Sequence, residues 1–252
     1  MSENITTRKE FYEPLTELKW DTEGVTQANS TRTLVYRDKD SGTYCRILKF
    51  PAGFSEGRTS EENDHACCDH EFDEMVYVAT GGVINRRLGC YYDVGAIADF
   101  PKGVGHGPLE APFGCLLVEF RHFVERDRIV GKMTMECEFH QPAEFKWSTE
   151  RVKEAGCESA LVYHDKEGSG SYCHFVRLPR EFHVGRTEVE DANDYDSVIY
   201  IVSGGLINRR LGFRYTPGTI GVFPKGLSYG PFEAPFGGLL LEFRHFKGVK
   251  KL

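Results

Sequence analysis

The sequence Ile84-Asn85-Arg86-Arg87-Leu88-Gly89 occurs twice in this chain, the second time at residues 207–212. The identity extends outward without a gap, so that residues 80–123 align with residues 203–246 and 29 of the 44 aligned positions carry the same residue. Such agreement does not arise by chance. The chain therefore contains two copies of one unit of roughly 100 residues, the size of a small domain.

The repeat predicts the domain organisation. Trp20 matches Trp147 upstream of the shared text, and these two residues mark the starts of the two units. From the alignment we predict the following segments: an N-terminal arm at 1–19, a first domain at 20–123, a connector at 124–146 and a second domain at 147–252.

Short segments in each half have the composition of β-strands. Residues 75–78 read Met-Val-Tyr-Val and residues 198–201 read Val-Ile-Tyr-Ile, and each precedes a glycine pair that predicts a turn. The sequence Phe100-Pro101-Lys102-Gly103, repeated at residues 223–226, predicts a type I turn with proline in second place. Helical periodicity is nearly absent. The sequence thus indicates an all-β protein made of two tandem antiparallel β-barrels or jelly rolls.

Composition excludes several classes of protein. The chain carries 31 Lys and Arg against 38 Asp and Glu, a net charge of −7, which disfavours a sequence-independent nucleic-acid binder. No run of about 18 apolar residues is present, so we expect no membrane insertion. The first ten residues lack an apolar signal region, and the eight cysteines suit reduced thiols or metal ligands better than a disulfide framework. We therefore expect a cytoplasmic protein.

The two halves differ at one group of polar residues. The candidates in the first half are Cys68, His70, Glu74 and His106, and their counterparts in the second are Asp191, Asn193, Ser197 and Tyr229. If this segment is a strand, the side chains of Cys68 and His70 point to the same face of the sheet. Glu74 shares a face with Val76 and Val78, where an unpaired carboxylate would be costly and a cation would remove the cost.

Thiolate, imidazole and carboxylate groups are ligands of Zn²⁺, Fe²⁺ and related ions. We therefore predict one divalent transition metal held by Cys68, His70, Glu74 and His106 in the first unit, with Mn²⁺ and Ni²⁺ as further candidates. His65 is the alternative first ligand if the residues inserted in the first half bulge the strand. The second unit is predicted to lack a metal.

The spacing of these residues resembles that of the cupin superfamily. His70, Glu74 and Gly81 fit its first motif, and Gly95, Pro101, Gly103 and His106 fit its second. The sequence departs from the family where Cys68 stands in place of the usual first histidine. The resemblance covers both halves and implies a two-barrel cupin with one working site, in which the second barrel provides packing, a dimer surface or a wall of the pocket.

Several charged residues recur in both halves. Arg86, Lys102, Glu119, Arg121 and His122 all have identical counterparts, so we assign them to scaffold salt bridges or a subunit interface. Arg87 recurs as well, yet it is the candidate for binding an anionic substrate, because guanidinium binds carboxylate with two hydrogen bonds. We expect a homodimer, with the arm lying across its neighbour or across the second barrel.

Three functions are consistent with these features. The resemblance favours a metal-dependent dioxygenase with Fe²⁺, acting on a small organic substrate. The second is a redox-neutral isomerase, decarboxylase or hydrolase, in which Zn²⁺, Mn²⁺ or Ni²⁺ polarises a carbonyl group. The third is a non-catalytic sensor of a small molecule or metal, which the absence of a DNA-binding helix or basic patch disfavours.

Overall fold

The structure is a computed structural model, and it describes residues 11–25, 29–56, 71–86, 89–125, 131–132, 139–183, 193–226 and 230–247. Within these ranges the regular structure is nearly all β-strand, so the all-β prediction is confirmed. The helical elements described are one short helix, α1 (Pro14–Glu17), and a single 3₁₀ turn at Pro142–Glu144. No helix in these ranges has both the length and the apolar character needed to cross a membrane.

The strands follow one another in chain order with these bounds: β1 Phe11–Tyr12, β2 Thr31–Arg37, β3 Tyr44–Ser55, β4 Asp73–Asn85, β5 Cys90–Asp93, β6 Ile97–Phe100, β7 Val104–Gly105, β8 Leu109–His122, β9 Gly131–Lys132, β10 Trp147–Ser148, β11 Glu158–His164, β12 Tyr172–Leu178, β13 Phe182–His183, β14 Asp196–Gly204, β15 Leu206–Asn208, β16 Phe213–Tyr215, β17 Ile220–Phe223, β18 Phe232–Ala234 and β19 Gly238–His245.

The first barrel is built on a six-stranded sheet. Its order is β2-β3-β8-β4-β5, with β6 paired to β4, and all of its pairs are antiparallel. The apolar side chains that point inward from these strands, among them Leu48, Val76 and Leu117, form one buried cluster. Strand β4 lies between β8 and β6, which places Glu74 opposite Arg121 on one side and Phe100 on the other.

Strand β4 is longer than the sequence indicated. The glycine pair Gly81-Gly82 was expected to end the strand in a turn, but β4 continues through it to Asn85, with a register shift against β8. Gly81 has φ +69°, and a Cβ there would lie 2.0 Å from the carbonyl oxygen of Gly114. The glycine therefore permits a bulge and a close crossing of two strands.

The second barrel has a seven-stranded sheet and a four-stranded sheet. The large sheet has the order β1-β17-β14-β19-β12-β11-β10, and the small sheet has the order β13-β18-β15-β16. The edge strand of the seven-stranded sheet, β1, comes from the N-terminal arm and pairs with β17. Phe11 is buried there against the rings of Tyr215, Phe223 and Phe232. Residues 11–12, where the described part of the arm begins, thus pack on the second barrel.

The connector packs against the first barrel. Strand β9 pairs in parallel with β7, and His140 exchanges two backbone hydrogen bonds with Ile97, of 2.7 and 2.9 Å. Phe139 is buried and lies edge-on to Phe100, with ring centroids 5.9 Å apart. The described part of the connector therefore covers the side of the barrel where β6 lies.

The two large sheets pack face to face and share one core. Equivalent residues of the two halves meet there, because the ring centroids of Tyr77 and Tyr200 are 5.6 Å apart and those of Phe120 and Phe243 are 5.2 Å apart. Contacts between equivalent residues are typical of a two-fold interface between identical subunits. On β4, alternate residues consequently face this shared core and the interior of the first barrel.

Candidate functional site

Glu74 lies inside the first barrel, as the sequence predicted. It is the second residue of β4 and shares its face with Val76 and Val78, which belong to the apolar cluster of the barrel. Only 1% of its surface is exposed. Asp73 and Met75, the residues on either side of Glu74 in the sequence, face the second barrel instead. A carboxylate in such surroundings requires hydrogen-bond and charge partners.

His106 is the first of these partners. Its Nε2 lies 3.0 Å from Glu74 Oε2, and its ring stacks on Phe100 with centroids 4.1 Å apart. His106 lies between β7 and β8, three residues before β8 begins. The turn before it differs from the predicted type I turn, because Val104 N donates to Pro101 O and Gly103 has φ +86°. A positive φ at the third position is characteristic of a type II turn.

Arg121 is the second partner of Glu74. Its Nε donates to Glu74 Oε1 at 2.6 Å, its Nη1 donates to Tyr44 Oη at 2.9 Å, and its Nη2 lies 3.3 Å from Glu119 Oε2. Burial alone would lower the pKa of Arg121, but the two carboxylates outweigh it and hold the pKa above its usual range. Arg121 was predicted to serve the scaffold because it recurs as Arg244. The structure places it at the candidate site.

A second ion pair lies beside this group. Arg46 Nε donates to Glu119 Oε2, and both side chains are almost completely buried. Two guanidinium groups therefore offset the two carboxylates of Glu74 and Glu119, which satisfies the requirement for charge compensation without a cation. The expectation that the Glu74 carboxylate needs a metal for its burial is accordingly not supported by these contacts.

A small cavity adjoins Glu74 and His106. Its volume is about 30 Å³, and six apolar side chains and five polar ones line it. The polar lining residues are Glu56, Glu74, His106, Glu119 and Arg121. A volume of this size exceeds the roughly 10–15 Å³ that a water molecule needs, so an ion fits beside the two candidate ligands.

Glu56 also lines the cavity and is not among the residues predicted from the sequence. Its Oε2 accepts a hydrogen bond from Leu109 N at 2.7 Å. The signal was present in the repeat, because Gly57-Arg58-Thr59 recurs at residues 185–187 and this alignment places Glu56 opposite Val184. Glu56 is therefore a further carboxylate that only the first half carries.

The remaining predicted site residues lie outside the described residues. These are Cys68, His70, the alternative ligand His65 and Arg87. Among the residues that are described, no group of three or more His, Cys, Asp or Glu side chains is gathered for a metal ion. The imidazole and carboxylate of His106 and Glu74 nonetheless fit a divalent ion by their chemistry, their burial and the adjoining cavity. The four-ligand set stays a prediction.

The equivalent place in the second barrel has a different set of contacts. Ser197, which stands for Glu74, donates to Glu242 Oε1 at 2.6 Å. His174 stands where the first barrel has Arg46, and its Nε2 lies 2.9 Å from Glu242 Oε2. Burial would raise the pKa of Glu242, but Arg244 and His174 hold it below its usual range. One carboxylate here is surrounded by donors. Of the other counterparts, Asn193 is described, and Asp191 and Tyr229 lie outside the described residues.

No family model matches the chain, and no curated protein matches it. Among solved structures, a protein from Nostoc punctiforme with dioxygenase as its suggested activity is 13% identical, with a TM-score of 0.66 over 96% of this chain and 84% of its own. A cupin 2 conserved barrel domain protein from Leptotrichia buccalis is 11% identical, with a TM-score of 0.59 over 95% and 98%.

A third similar structure is Streptomyces albus HEPD with its substrate 2-hydroxyethylphosphonate and Fe(II) bound. It is 9% identical to this chain, with a TM-score of 0.59 over 98% of this chain and 78% of its own. At such low identities the similarity shows the fold alone, and a fold does not by itself establish a reaction.

Proposed function

Because the chain has the two-barrel cupin fold, we propose that it is a metal-dependent enzyme with one site, in the first barrel. Glu74 and His106 are the described ligands in this proposal, and Cys68 and His70 complete the set. The observation that carries the proposal is the buried contact of 3.0 Å between Glu74 and His106 beside a cavity, at a place where the second barrel has Ser197.

Dioxygenation of a small organic substrate is our first choice of reaction. When bound, Fe²⁺ supplies redox chemistry with O₂, whereas Zn²⁺, Mn²⁺ or Ni²⁺ supplies Lewis-acid chemistry. Similarity to a protein with a suggested dioxygenase activity and to an Fe(II)-containing protein supports the first of these.

The chain's own residues prepare the site. Arg121 uses Nε, Nη1 and Nη2 for three protein partners, so its role is to orient Glu74 and not to bind substrate. Phe100 stacks on the His106 ring and restricts its rotation. Six apolar side chains line the cavity beside Glu74 and His106, and apolar surroundings strengthen electrostatic interactions. Arg87 stays the proposed group for an anionic substrate.

Metal analysis of untagged protein tests this proposal. We expect about one equivalent of Fe²⁺ per chain after anaerobic reconstitution, and loss of that equivalent in His106→Ala and Glu74→Gln, because each removes a ligand. Ser197→Ala is the matched control in the second barrel and is expected to keep the metal. A wild type that binds no divalent ion, or variants that keep it, would contradict the proposal.

Oxygen uptake separates the reaction classes. The Fe²⁺-loaded protein is mixed with a panel of small carboxylic acids, and O₂ consumption is followed with an electrode. We expect substrate-dependent consumption that His106→Ala abolishes. Conversion of a substrate in the absence of O₂ would refute dioxygenation and favour the redox-neutral reaction. A metal-loaded protein that binds a small acid but converts nothing would favour the sensor.

A further inference from the structure

Asp73 lies directly before Glu74 and points away from the cavity, towards the second barrel. None of its surface is exposed. Its Oδ1 accepts a hydrogen bond from Lys102 N at 2.8 Å, and its Oδ2 accepts one from Tyr163 Oη at 2.6 Å. Tyr163 belongs to β11 of the second barrel, so one of these contacts crosses between the barrels.

The two hydrogen bonds connect the segments that carry the candidate ligands. Asp73 is the covalent neighbour of Glu74 on β4. Lys102 belongs to the turn closed by Val104 N and Pro101 O, and His106 follows four residues later. A shift of Asp73 relative to the turn would therefore change the 3.0 Å separation between His106 and Glu74.

Tyr163 is suited to hold Asp73 in place. It is 5% exposed, and burial together with the neighbouring Asp73 carboxylate raises its pKa far above the usual range. Its hydroxyl therefore remains protonated and donates to Asp73 throughout the physiological pH range. A charge-assisted hydrogen bond of this kind is about twice as strong as a neutral one.

We propose that Tyr163 of the second barrel is a positioning residue for the metal site of the first barrel, acting through Asp73 on the relative placement of Glu74 and His106. The proposal rests on the proposed function of that site. In this proposal, a residue of the second barrel affects metal binding in the first barrel.

The repeat supplies a matched control. Tyr36 of the first barrel donates to Asp196 Oδ2 at 2.5 Å, and Lys225 N donates to Asp196 Oδ1 at 2.7 Å. Asp196 is followed by Ser197, so the equivalent pair of hydrogen bonds occurs next to a position that lacks the carboxylate ligand. The two copies differ in one respect, because Lys247 Nζ lies 2.7 Å from Asp196 Oδ2.

Co²⁺ titration of the full chain tests the proposal. Affinity is measured by competition with a chromophoric chelator, and the visible spectrum of bound Co²⁺ reports the ligand geometry. We expect Tyr163→Phe to weaken Co²⁺ binding roughly 10-fold or more and to change the spectrum, since loss of an outer partner of a ligand typically costs 10–100-fold. Tyr36→Phe is expected to stay within roughly 2-fold of wild type on the same scale.

The outcomes separate this proposal from the proposed function. A wild type without Co²⁺ affinity overturns both. A wild type that binds Co²⁺, with Tyr163→Phe equal to Tyr36→Phe in affinity and spectrum, overturns the positioning role alone. Thermal melting of the apo proteins verifies that both variants are folded.

Asp73→Asn, with Asp196→Asn as its control, tests the same role if Tyr163→Phe does not fold. Only the first of these is expected to weaken Co²⁺ binding, and equal affinities would overturn the proposal. Where both single variants fold, the double variant Asp73→Asn/Tyr163→Phe should show little further loss, because both changes act on one connection.

Discussion

At the scale of the residue, the central feature is a buried carboxylate held by protein donors. Glu74 accepts from Arg121 at 2.6 Å and contacts His106 at 3.0 Å. A buried charge pair contributes little net stability, but removal of one partner leaves the other charge uncompensated. Arg121 is therefore the charge partner of the Glu74 carboxylate, and an ionised carboxylate is the form that a metal ion requires.

Arg121→Met tests this compensation. The substitution leaves the Glu74 carboxylate buried without its guanidinium partner, and we expect the free energy of unfolding to fall by about 3 kcal/mol. Urea denaturation of the metal-free protein measures the change. The double variant Arg121→Met/Glu74→Gln should recover part of the loss, because the uncompensated charge is gone. A double variant less stable than either single one would argue against the charge-based explanation.

At the scale of the element, a strand from the N-terminal arm joins a sheet whose other strands come from the second half of the chain. Strand β1 of the N-terminal arm forms the edge of the seven-stranded sheet, where it pairs with β17. It is only two residues long, so its hydrogen bonds alone do not hold it. The side chain of Phe11, buried among three aromatic rings, provides the attachment.

Phe11→Ala is expected to destabilise the protein by about 3 kcal/mol, because truncation of a buried phenylalanine removes its transfer free energy and leaves a cavity. Tyr12 is next to it on the same strand and only partly buried, so Tyr12→Ala should cost clearly less. Chemical denaturation of both variants provides the comparison. Equal losses would show that the strand is held by its backbone and not by the Phe11 side chain.

At the scale of the whole molecule, the two barrels share their central core and a set of polar contacts. His245 Nε2 lies 3.1 Å from Asp38 Oδ2, and His122 Nε2 lies 3.2 Å from Asp165 Oδ2, so each barrel contributes one partner to each pair. This packing covers one face of each large sheet and leaves the sheet edges out of account. The homodimer, which was expected because sheet edges are usually covered by assembly, stays a prediction that sedimentation velocity tests.

Stability should fall as the pH falls from about 7 to 5. Burial is the main cause that lowers the pKa of both His174 and His245 in the folded protein, below the ordinary value of 6.5. Below pH 6.5 these two histidines therefore bind more protons in the unfolded chain than in the folded chain, so acidification favours unfolding. Asp38, whose pKa is also low in the folded state, adds to the loss only at pH values below about 4.

Urea denaturation at pH 7, 6 and 5 checks this pH dependence. His245→Gln should reduce the slope, whereas His183→Gln, at an exposed position, should retain it. A free energy of unfolding that is constant or rises towards pH 5 would contradict the prediction.

Because the core is shared, we also expect one cooperative transition for both barrels.

Sequence alone was sufficient for the features that local pattern and internal comparison encode. The 29 identities in 44 positions revealed the duplication, and strand-like segments between turn residues indicated two β-barrels. Alternation on one strand predicted that Glu74 faces the barrel interior, and comparison of the halves singled out Glu74 and His106. The structure brings these two residues together. The prediction that Cys68 and His70 join them is untested.

Tertiary structure decided the contacts that give those residues their surroundings. Arg121 is 47 residues from Glu74, and Tyr163 is 90 residues from Asp73. Their pairing depends on the register of β4 against β8 and on how the two large sheets meet, which no local pattern specifies. Comparison of the halves even pointed away from Arg121, because a residue that recurs can serve the scaffold in one barrel and the site in the other. The physical reason is that a side chain's role is set by its neighbours in space, and these come from distant parts of the chain.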